Sequence, residues 1–372
     1  MKNRRLASDE RFEGEMLLQS LLLILGFALL IKGADIFVDA AVNIAERLRV
    51  PKVIIAMTIV AIGTGAPEAV ISVTASARGS NALAIGNIVG SNIFNLVFII
   101  GLCAVIMPMA VKVREIHKEF WISIVAAVLL LVLKVVSGEA IPRWGSLVLL
   151  VLFFAYMCFV IRKALRGGDN NRGSGVGNSA VSTSKESAKL TDKPARNSTE
   201  STGKSVDKSA KSVRNFADES TEKPRRLSLI IFLAVLGLAF ILVGGHFTVE
   251  SATYIAYALG VSERVIGITI IAVGTSLPEL ITSLVACKKG ENEFALGNII
   301  GSNIFNILFV LGVAGLVNPL EIDSALLFDT IFLVAASSIA ILFVYTNKRI
   351  GRLEGAAMVL MYCGYMVFAV MA

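Results

Sequence analysis

The sequence is poor in the residues on which most enzymatic and metal chemistry depends. Only 2 of its 372 residues are histidine. Its 4 cysteines stand singly in apolar segments, without the paired spacing of a zinc site or a disulfide framework. The sequence therefore offers neither a nucleophile beside a base nor a metal-binding triad, and we expect neither an enzyme nor a bound cofactor.

Charge is also scarce. Charged residues make up 17% and hydrophobic residues 55% of the sequence, and the mean hydropathy is +0.76. Soluble domains are typically about 45 to 50% apolar, so the chain is predicted to be an integral membrane protein. The excess positive charge of +7 lies in loops and in one polar stretch. This distribution indicates orientation in a membrane rather than binding to nucleic acid.

Ten apolar runs are long enough to cross a bilayer, which takes roughly 17 to 25 residues. They fall near residues 17–45, 53–77, 82–107, 119–137, 145–165, 227–257, 265–287, 294–317, 324–346 and 354–372. We therefore predict an all-α membrane protein with ten transmembrane helices.

A polar stretch divides these runs into two sets of five. Residues 166–226 are rich in Ser, Lys, Gly and Asn and hold almost no large apolar side chains, which predicts a disordered linker. We expect a first five-helix unit at 17–165, a second at 227–372 and a polar N-terminal segment at 1–16. The linker sequence leaves open whether it only tethers the two units or also binds a protein partner.

Basic residues favour one orientation in the cell membrane. If the linker is cytoplasmic, most loop Lys and Arg residues lie inside, and the outer loops hold chiefly Arg78, Arg143 and Arg264. This bias follows the positive-inside rule. Because each unit has an odd number of spans, residues 1–16 are then expected outside the cytoplasm.

The two units are copies of one sequence. A shift of 211 positions aligns residues 55–101 with residues 266–312 without a gap, and about half of the aligned residues are identical. The longest shared run reads G-N-I-V-G-S-N-I-F-N in the first copy and G-N-I-I-G-S-N-I-F-N in the second. Because each copy has five spans, the second is expected to insert upside down. This predicts two inverted-topology repeats, an architecture of secondary transporters.

Each copy places a glutamate inside an apolar run, at Glu68 and at Glu279. A charge at the centre of a spanning helix costs roughly 2.5 to 3.5 kcal/mol on insertion scales, so a bound cation is expected to compensate for the pair. Pro67 and Pro278 break the preceding helical turn and free carbonyl oxygens there. An all-oxygen ligand set suits calcium. The carbonyl groups expected to join the glutamates are those around Ala61, Thr64, Ala272 and Thr275.

The shared run adds neutral oxygens. Ser91 and Asn95 are four residues apart, as are Ser302 and Asn306, so each pair lies on one face of a helix. We interpret these four side chains as further cation ligands. Hydrogen bonding between helices is an alternative explanation.

Five more polar residues lie within the apolar runs. They are Lys32, Asp35, Asp39, His246 and Glu250. Lys32 and Asp35 are one turn apart, a spacing that allows an ion pair. Structural pairing or exposure near a helix end explains these residues, and a role in a gate or in proton transfer is the alternative.

With its G-T-x-x-P-E turn and G-S-N-I-F-N helix in both copies, the chain resembles the cation/calcium exchanger superfamily, and most closely its prokaryotic sodium/calcium exchangers. The resemblance implies a ten-helix antiporter that moves Ca2+ out of the cytoplasm with the inward Na+ gradient. It implies Ca2+ ligation by Glu68 and Glu279 with the carbonyl oxygens of Thr64 and Thr275. The residues implied around Na+ and in the middle of the site are Ala61, Ser91, Ala272, Ser302, Asn95 and Asn306.

Two positions depart from the pattern of the family. Gly65 stands where a serine is usual, and this removes one hydroxyl from the first copy only. Asn306 stands where some relatives carry an aspartate that accompanies potassium dependence, so K+-independent exchange is expected. Proton/calcium exchange by the same fold remains an alternative, and a calcium channel is a more distant one, disfavoured by repeats around one site.

Overall fold

The computed structural model describes residues 2–110, 113–138, 140–170, 226–261, 270, 272–321, 324–347 and 349–371. Most of the predicted linker, at 171–225, lies outside these residues, as do 265–269 of the seventh apolar run. The helices are α1 (Lys2–Leu48), α2 (Lys52–Thr64), α3 (Ala66–Ala77), α4 (Asn81–Ile106), α5 (Val113–Ser137), α6 (Arg143–Asn170), α7 (Leu227–Ala258), α8 (Ala272–Thr275), α9 (Leu277–Lys288), α10 (Asn292–Val317), α11 (Ser324–Asn347) and α12 (Arg352–Met371).

Within the described residues, seven helices are long and apolar enough to cross a membrane. An eighth span is obtained if α2 and α3, which are bent by 48° at their junction, count as one. These spans overlap predicted apolar runs, so the chain is a helical, multi-pass membrane protein. α1 already begins at Lys2, inside the predicted N-terminal segment, and α6 continues to Asn170, inside the predicted linker.

The long helices α1 and α7 pack closely and run antiparallel. Gly26 faces Gly244, and Gly33 faces Gly237. A Cβ atom built at Gly33 would lie 2.8 Å from the Gly237 carbonyl oxygen, and one at Gly244 would lie 2.7 Å from that of Gly26. Only glycine permits this approach, which small residues provide between membrane helices. The two helices therefore form one tightly packed pair.

α4 and α10 form the centre of the fold. In the most apolar 18-residue stretch of each helix, 78% of α4 and 83% of α10 is buried, whereas the corresponding share in the other candidate spans is 22% to 39%. The side-chain amide of Asn92 donates to the backbone carbonyl oxygen of Asn303 at 3.3 Å, and the side-chain amide of Asn303 donates to the backbone carbonyl oxygen of Asn92 at 3.2 Å. These reciprocal bonds join the two helices at matching positions of the repeated sequence.

Two short antiparallel ladders join the halves near the helix ends. β1 (Met109–Ala110) pairs with β4 (Arg349–Ile350), and β2 (Ala140–Ile141) pairs with β3 (Leu320–Glu321). In each ladder one strand comes from the first half and the other from the second, with Met109 opposite Ile350 and Ile141 opposite Leu320. The halves are therefore interlocked rather than placed side by side.

Candidate cation site

Two interrupted helices place the glutamates at the centre of the fold. α2 ends at Thr64 and α3 begins at Ala66, so the bend falls at Gly65. In the second half, Ser276 separates α8 from α9. A proline lies in the first two positions of α3 and of α9, where its missing N–H costs no helical hydrogen bond.

The glutamates follow these breaks directly. Glu68 is in the first turn of α3 and Glu279 in the first turn of α9. Both side chains are fully buried, and they are close enough for their charges to interact. A helix N-terminus favours negative charge, but two buried carboxylates repel each other. The arrangement therefore favours a cation between them.

The predicted serine and asparagine ligands lie on the two central helices. Ser91 and Asn95 lie in the middle of the 26-residue α4, and Ser302 and Asn306 occupy the corresponding places in α10. Asn95 and Asn306 fall in π-helical segments, Phe94–Ile99 and Phe305–Val310, which is a common feature of functional sites. The buried members of the predicted set are Ala61, Thr64, Ser91, Asn95, Thr275, Ser302 and Asn306. Ala272 is the first residue of α8.

Most buried side-chain polar atoms that lack a hydrogen-bond partner in the described part of the chain belong to the two glutamates and the predicted serine and asparagine ligands. They are Oε2 of Glu68, both carboxylate oxygens of Glu279, the hydroxyls of Ser91 and Ser302, both amide atoms of Asn95, and Oδ1 of Asn306. More than 90% of buried polar groups in proteins are normally paired. Carboxylate, hydroxyl and amide oxygens without protein partners are the ligands that a hard cation prefers.

Hydrogen bonds between the halves support the threonines of the two turns. The Thr64 hydroxyl lies 3.4 Å from Oδ1 of Asn298, whose amide donates to the Ser283 hydroxyl at 3.1 Å. The equivalent chain runs from Thr275 to Asn87 at 3.5 Å and from Asn87 to the Ser72 hydroxyl at 2.9 Å. Asn87, Asn298, Ser72 and Ser283 were not predicted site residues. Their recurrence at the 211-residue spacing is the sequence signal that could have identified them.

Ser276 is a further residue absent from the predicted ligands. Its hydroxyl donates to Oε1 of Glu68 at 3.0 Å, so a residue of the second half contacts the glutamate of the first. Thr64 and Ser302 neighbour Glu279, but both of its oxygens remain without a hydrogen-bond partner. The serine that would match Ser276 is replaced by Gly65. The two carboxylates therefore have different surroundings.

Among the polar residues outside this site, Asp35 has a different partner from the one predicted. Asp35 contacts Lys289 rather than Lys32, with 2.7 Å between Oδ1 and Nζ. Asp39 contacts the same lysine at 2.6 Å. Because Lys289 belongs to a segment more than 200 residues away, local helical spacing could not identify this partner.

Comparison with known proteins agrees with the arrangement. The family model described as sodium/calcium exchanger protein matches residues 18–162 and 229–371. The sodium/calcium exchanger MaX1 of Methanosarcina acetivorans is 34% identical, over 93% of this chain and 97% of its own. The inner membrane protein YrbG of Escherichia coli is also 34% identical, over 83% of this chain and 82% of its own.

The fold has a solved counterpart. The sodium-calcium exchanger NCX_Mj, in crystals soaked with 10 mM Na+ and no Ca2+, superposes with a TM-score of 0.72 at 29% identity, covering 95% of this chain and 99% of that chain. Both halves of the sequence, the membrane helices and the paired acidic turns lie within the matched regions. The chain therefore belongs to the sodium/calcium exchanger family of membrane antiporters.

Proposed function

We propose that this protein is a secondary active antiporter that exchanges Ca2+ for Na+ across the cell membrane by alternating access. Both ions bind in turn at the site between Glu68 and Glu279. The observation that carries this proposal is the pair of fully buried carboxylates, together with buried serine and asparagine oxygens that lack a partner in the described part of the chain. The function of the family supports the same conclusion.

The ligand set explains how two ions compete for one site. The proposed ligands are Glu68, Glu279, Thr64, Thr275, Ser91, Ser302, Asn95, Asn306 and the carbonyl groups of Ala61 and Ala272. One Ca2+ neutralises the two carboxylates, and Na+ uses the same oxygens. Without a cation, the carboxylates would have to pass through a closed, dry conformation at high cost. This cost prevents the empty protein from changing conformation and so couples the two ion flows.

Alternating access also requires a particular architecture. We propose ten transmembrane helices in two inverted five-helix repeats, with the linker in the cytoplasm and residues 1–16 outside. The antiparallel pair α1 and α7 and the cross-half contacts Thr64–Asn298 and Thr275–Asn87, which are related by the 211-residue shift, support the inversion. The distribution of Lys and Arg supports the orientation.

The choice of counter-ion rests on neutral residues of the site. Ser91 and Ser302 offer hydroxyl oxygens to Na+, which proton exchange would not need. The Asn306 amide donates to Oδ1 of Asn92 at 3.2 Å, a contact that an ionised aspartate could not make. We therefore propose Na+ as the counter-ion and no requirement for K+. The name of the relative MaX1 is consistent with Na+.

Calcium flux in vesicles tests the proposal. Purified protein is reconstituted with internal Ca2+, and outward flux is followed while Na+, K+ and H+ gradients are imposed one at a time. We expect flux to follow the Na+ gradient at equal pH and to be unchanged by K+. Flux driven by the pH gradient alone would establish proton exchange instead, and flux independent of every counter-ion would establish a channel.

A further inference from the structure

Lys289 ties the acidic-turn helix α9 to α1. It follows the last residue of α9, and its Nζ atom contacts Oδ1 of Asp35 at 2.7 Å and Oδ1 of Asp39 at 2.6 Å. The same atom donates to the Asp35 carbonyl oxygen at 3.0 Å. Burial disfavours the ammonium form, but hydrogen bonds to the two carboxylates outweigh it and raise the pKa of Lys289 above its usual value. One side chain thus holds two successive turns of α1.

This contact lies at one end of the molecule, which we call the Lys289 end. Glu291 pairs there with Lys52 at 2.6 Å, beside the start of α10. α10 contains 26 residues and is therefore about 39 Å long. Pro319 lies just past the other end of α10, and its carbonyl oxygen accepts a hydrogen bond from the Asn81 side chain at 2.8 Å. Arg78 is three residues before Asn81, so we call this opposite end the Arg78 end.

The Arg78 end has the equivalent residues without the connection. Arg78, His246 and Glu250 stand 211 positions from Lys289, Asp35 and Asp39. His246 and Glu250 contact each other along α7, with 3.4 Å between Nε2 and Oε2, and their side chains are 62% and 66% exposed. In the part of the chain that the structure describes, the Arg78 side chain has no hydrogen bond or ion pair. An ion pair therefore joins α9 to α1 at the Lys289 end, and among the described residues no equivalent ion pair joins α3 to α7 at the Arg78 end.

We propose that Lys289, Asp35 and Asp39 form an electrostatic latch that keeps the cation site closed toward the Lys289 end. This proposal rests on alternating access as the proposed function. α1 and α7 pack through their glycines as one unit, and α9 begins with the turn that holds Glu279. Sliding of that unit past α9 separates α1 from Lys289 and opens this end. At the other end it brings Glu250 toward Arg78, where the equivalent ion pair forms.

Cys287 provides a natural reporter of the latch. It lies in α9 two residues before Lys289, and its side chain is fully buried. In a protein whose other cysteines, Cys103, Cys158 and Cys363, are changed to Ser, a membrane-impermeant thiol reagent measures how often this end opens. We expect Asp35→Asn combined with Asp39→Asn to increase the labelling rate of Cys287 at least fivefold. Lys288→Gln, which removes the neighbouring exposed charge, is the matched control and should leave the rate unchanged.

The variant Arg78→Gln tests the other half of the proposal. It removes the ion pair that forms when the Lys289 end is open, so labelling of Cys287 should become slower than in the parent protein. Equal labelling rates in the parent, the double asparagine variant and Arg78→Gln would overturn the latch. Labelling requires no ion transport, so this result is distinguishable from failure of the exchange function.

Transport measured separately from each face distinguishes a latch from general damage. A protein shifted toward the open Lys289 end binds Ca2+ more tightly at that end and more weakly at the Arg78 end, because apparent affinity scales with the fraction of the competent conformation. We expect KM for Ca2+ to fall at the Lys289 end and rise at the Arg78 end in the double asparagine variant. An equal rise at both ends would show a distorted site and would contradict the proposal.

Discussion

The two acidic turns have nearly the same backbone but different side-chain surroundings. Gly65 has φ −78° and ψ 4°, and Ser276 has φ −92° and ψ 8°. Neither conformation requires glycine, since both φ values are negative. The difference therefore lies in the hydroxyl, which Ser276 donates to Glu68 and which Gly65 cannot provide to Glu279.

A side chain at the first turn would be crowded. A Cβ atom at Gly65 would lie 3.0 Å from the Ala61 carbonyl oxygen and 3.1 Å from Cδ1 of Phe305. The Phe305 ring is itself held, stacked on Phe309 at 5.1 Å between centroids and packed edge-on against Phe153. The comparison shows that the repeat preserves the carboxylates and the asparagines, whereas the hydroxyl that contacts a carboxylate is present in one turn only.

Removal of either carboxylate should have the largest effect, because both halves need one. Glu68→Gln and Glu279→Gln are each expected to reduce Na+-driven Ca2+ flux in vesicles by at least about 100-fold, corresponding to about 2.7 kcal/mol. The remaining single charge cannot neutralise Ca2+ or hold it against water. Glu321→Gln, the same change at an exposed residue, should retain full flux. Robust exchange in either site variant would reject the assignment.

Ser276→Ala should have an intermediate effect and make the two turns alike. Glu68 then loses its hydroxyl donor, and a hydrogen bond to a charged group contributes about 1.5 to 3 kcal/mol. We expect the ion concentration for half-maximal exchange to rise about tenfold, with protein yield and thermal unfolding unchanged. The control is Ser338→Ala, which removes an exposed hydroxyl of α11. An unaltered ion dependence would show that this hydroxyl contributes nothing to binding.

The smallest effect is expected from Gly65→Ser, which supplies the missing hydroxyl against a crowded ring. Alone it should lower the unfolding temperature slightly, because overpacking costs about 1 to 3 kcal/mol. Combined with Phe305→Leu, which makes room, it should tighten the apparent Na+ affinity a few-fold relative to Phe305→Leu alone. Sodium-dependent calcium flux of the two proteins gives this ratio directly. A ratio of one would mean that the asymmetry has no effect on ion binding.

Much of the fold was accessible from the sequence because it depends on composition and repetition. Long apolar runs predicted membrane helices, and the candidate spans of the structure overlap these runs. The G-T-x-x-P-E turns predicted buried carboxylates after broken helices, and Glu68 and Glu279 are fully buried at such breaks. The ligand roles themselves, the ten spans and the orientation stay predictions.

The sequence by itself determined that this is a membrane protein of two repeated halves, each with an acidic turn and a polar helix. Only the tertiary structure decided which distant groups meet: Ser276 with Glu68, Asn92 with Asn303, and Lys289 with α1. Hydropathy and repetition are properties of a chain read in order, whereas a hydrogen bond depends on distances of about 3 Å. Segments more than 200 residues apart reach such distances only through the packing of the helices.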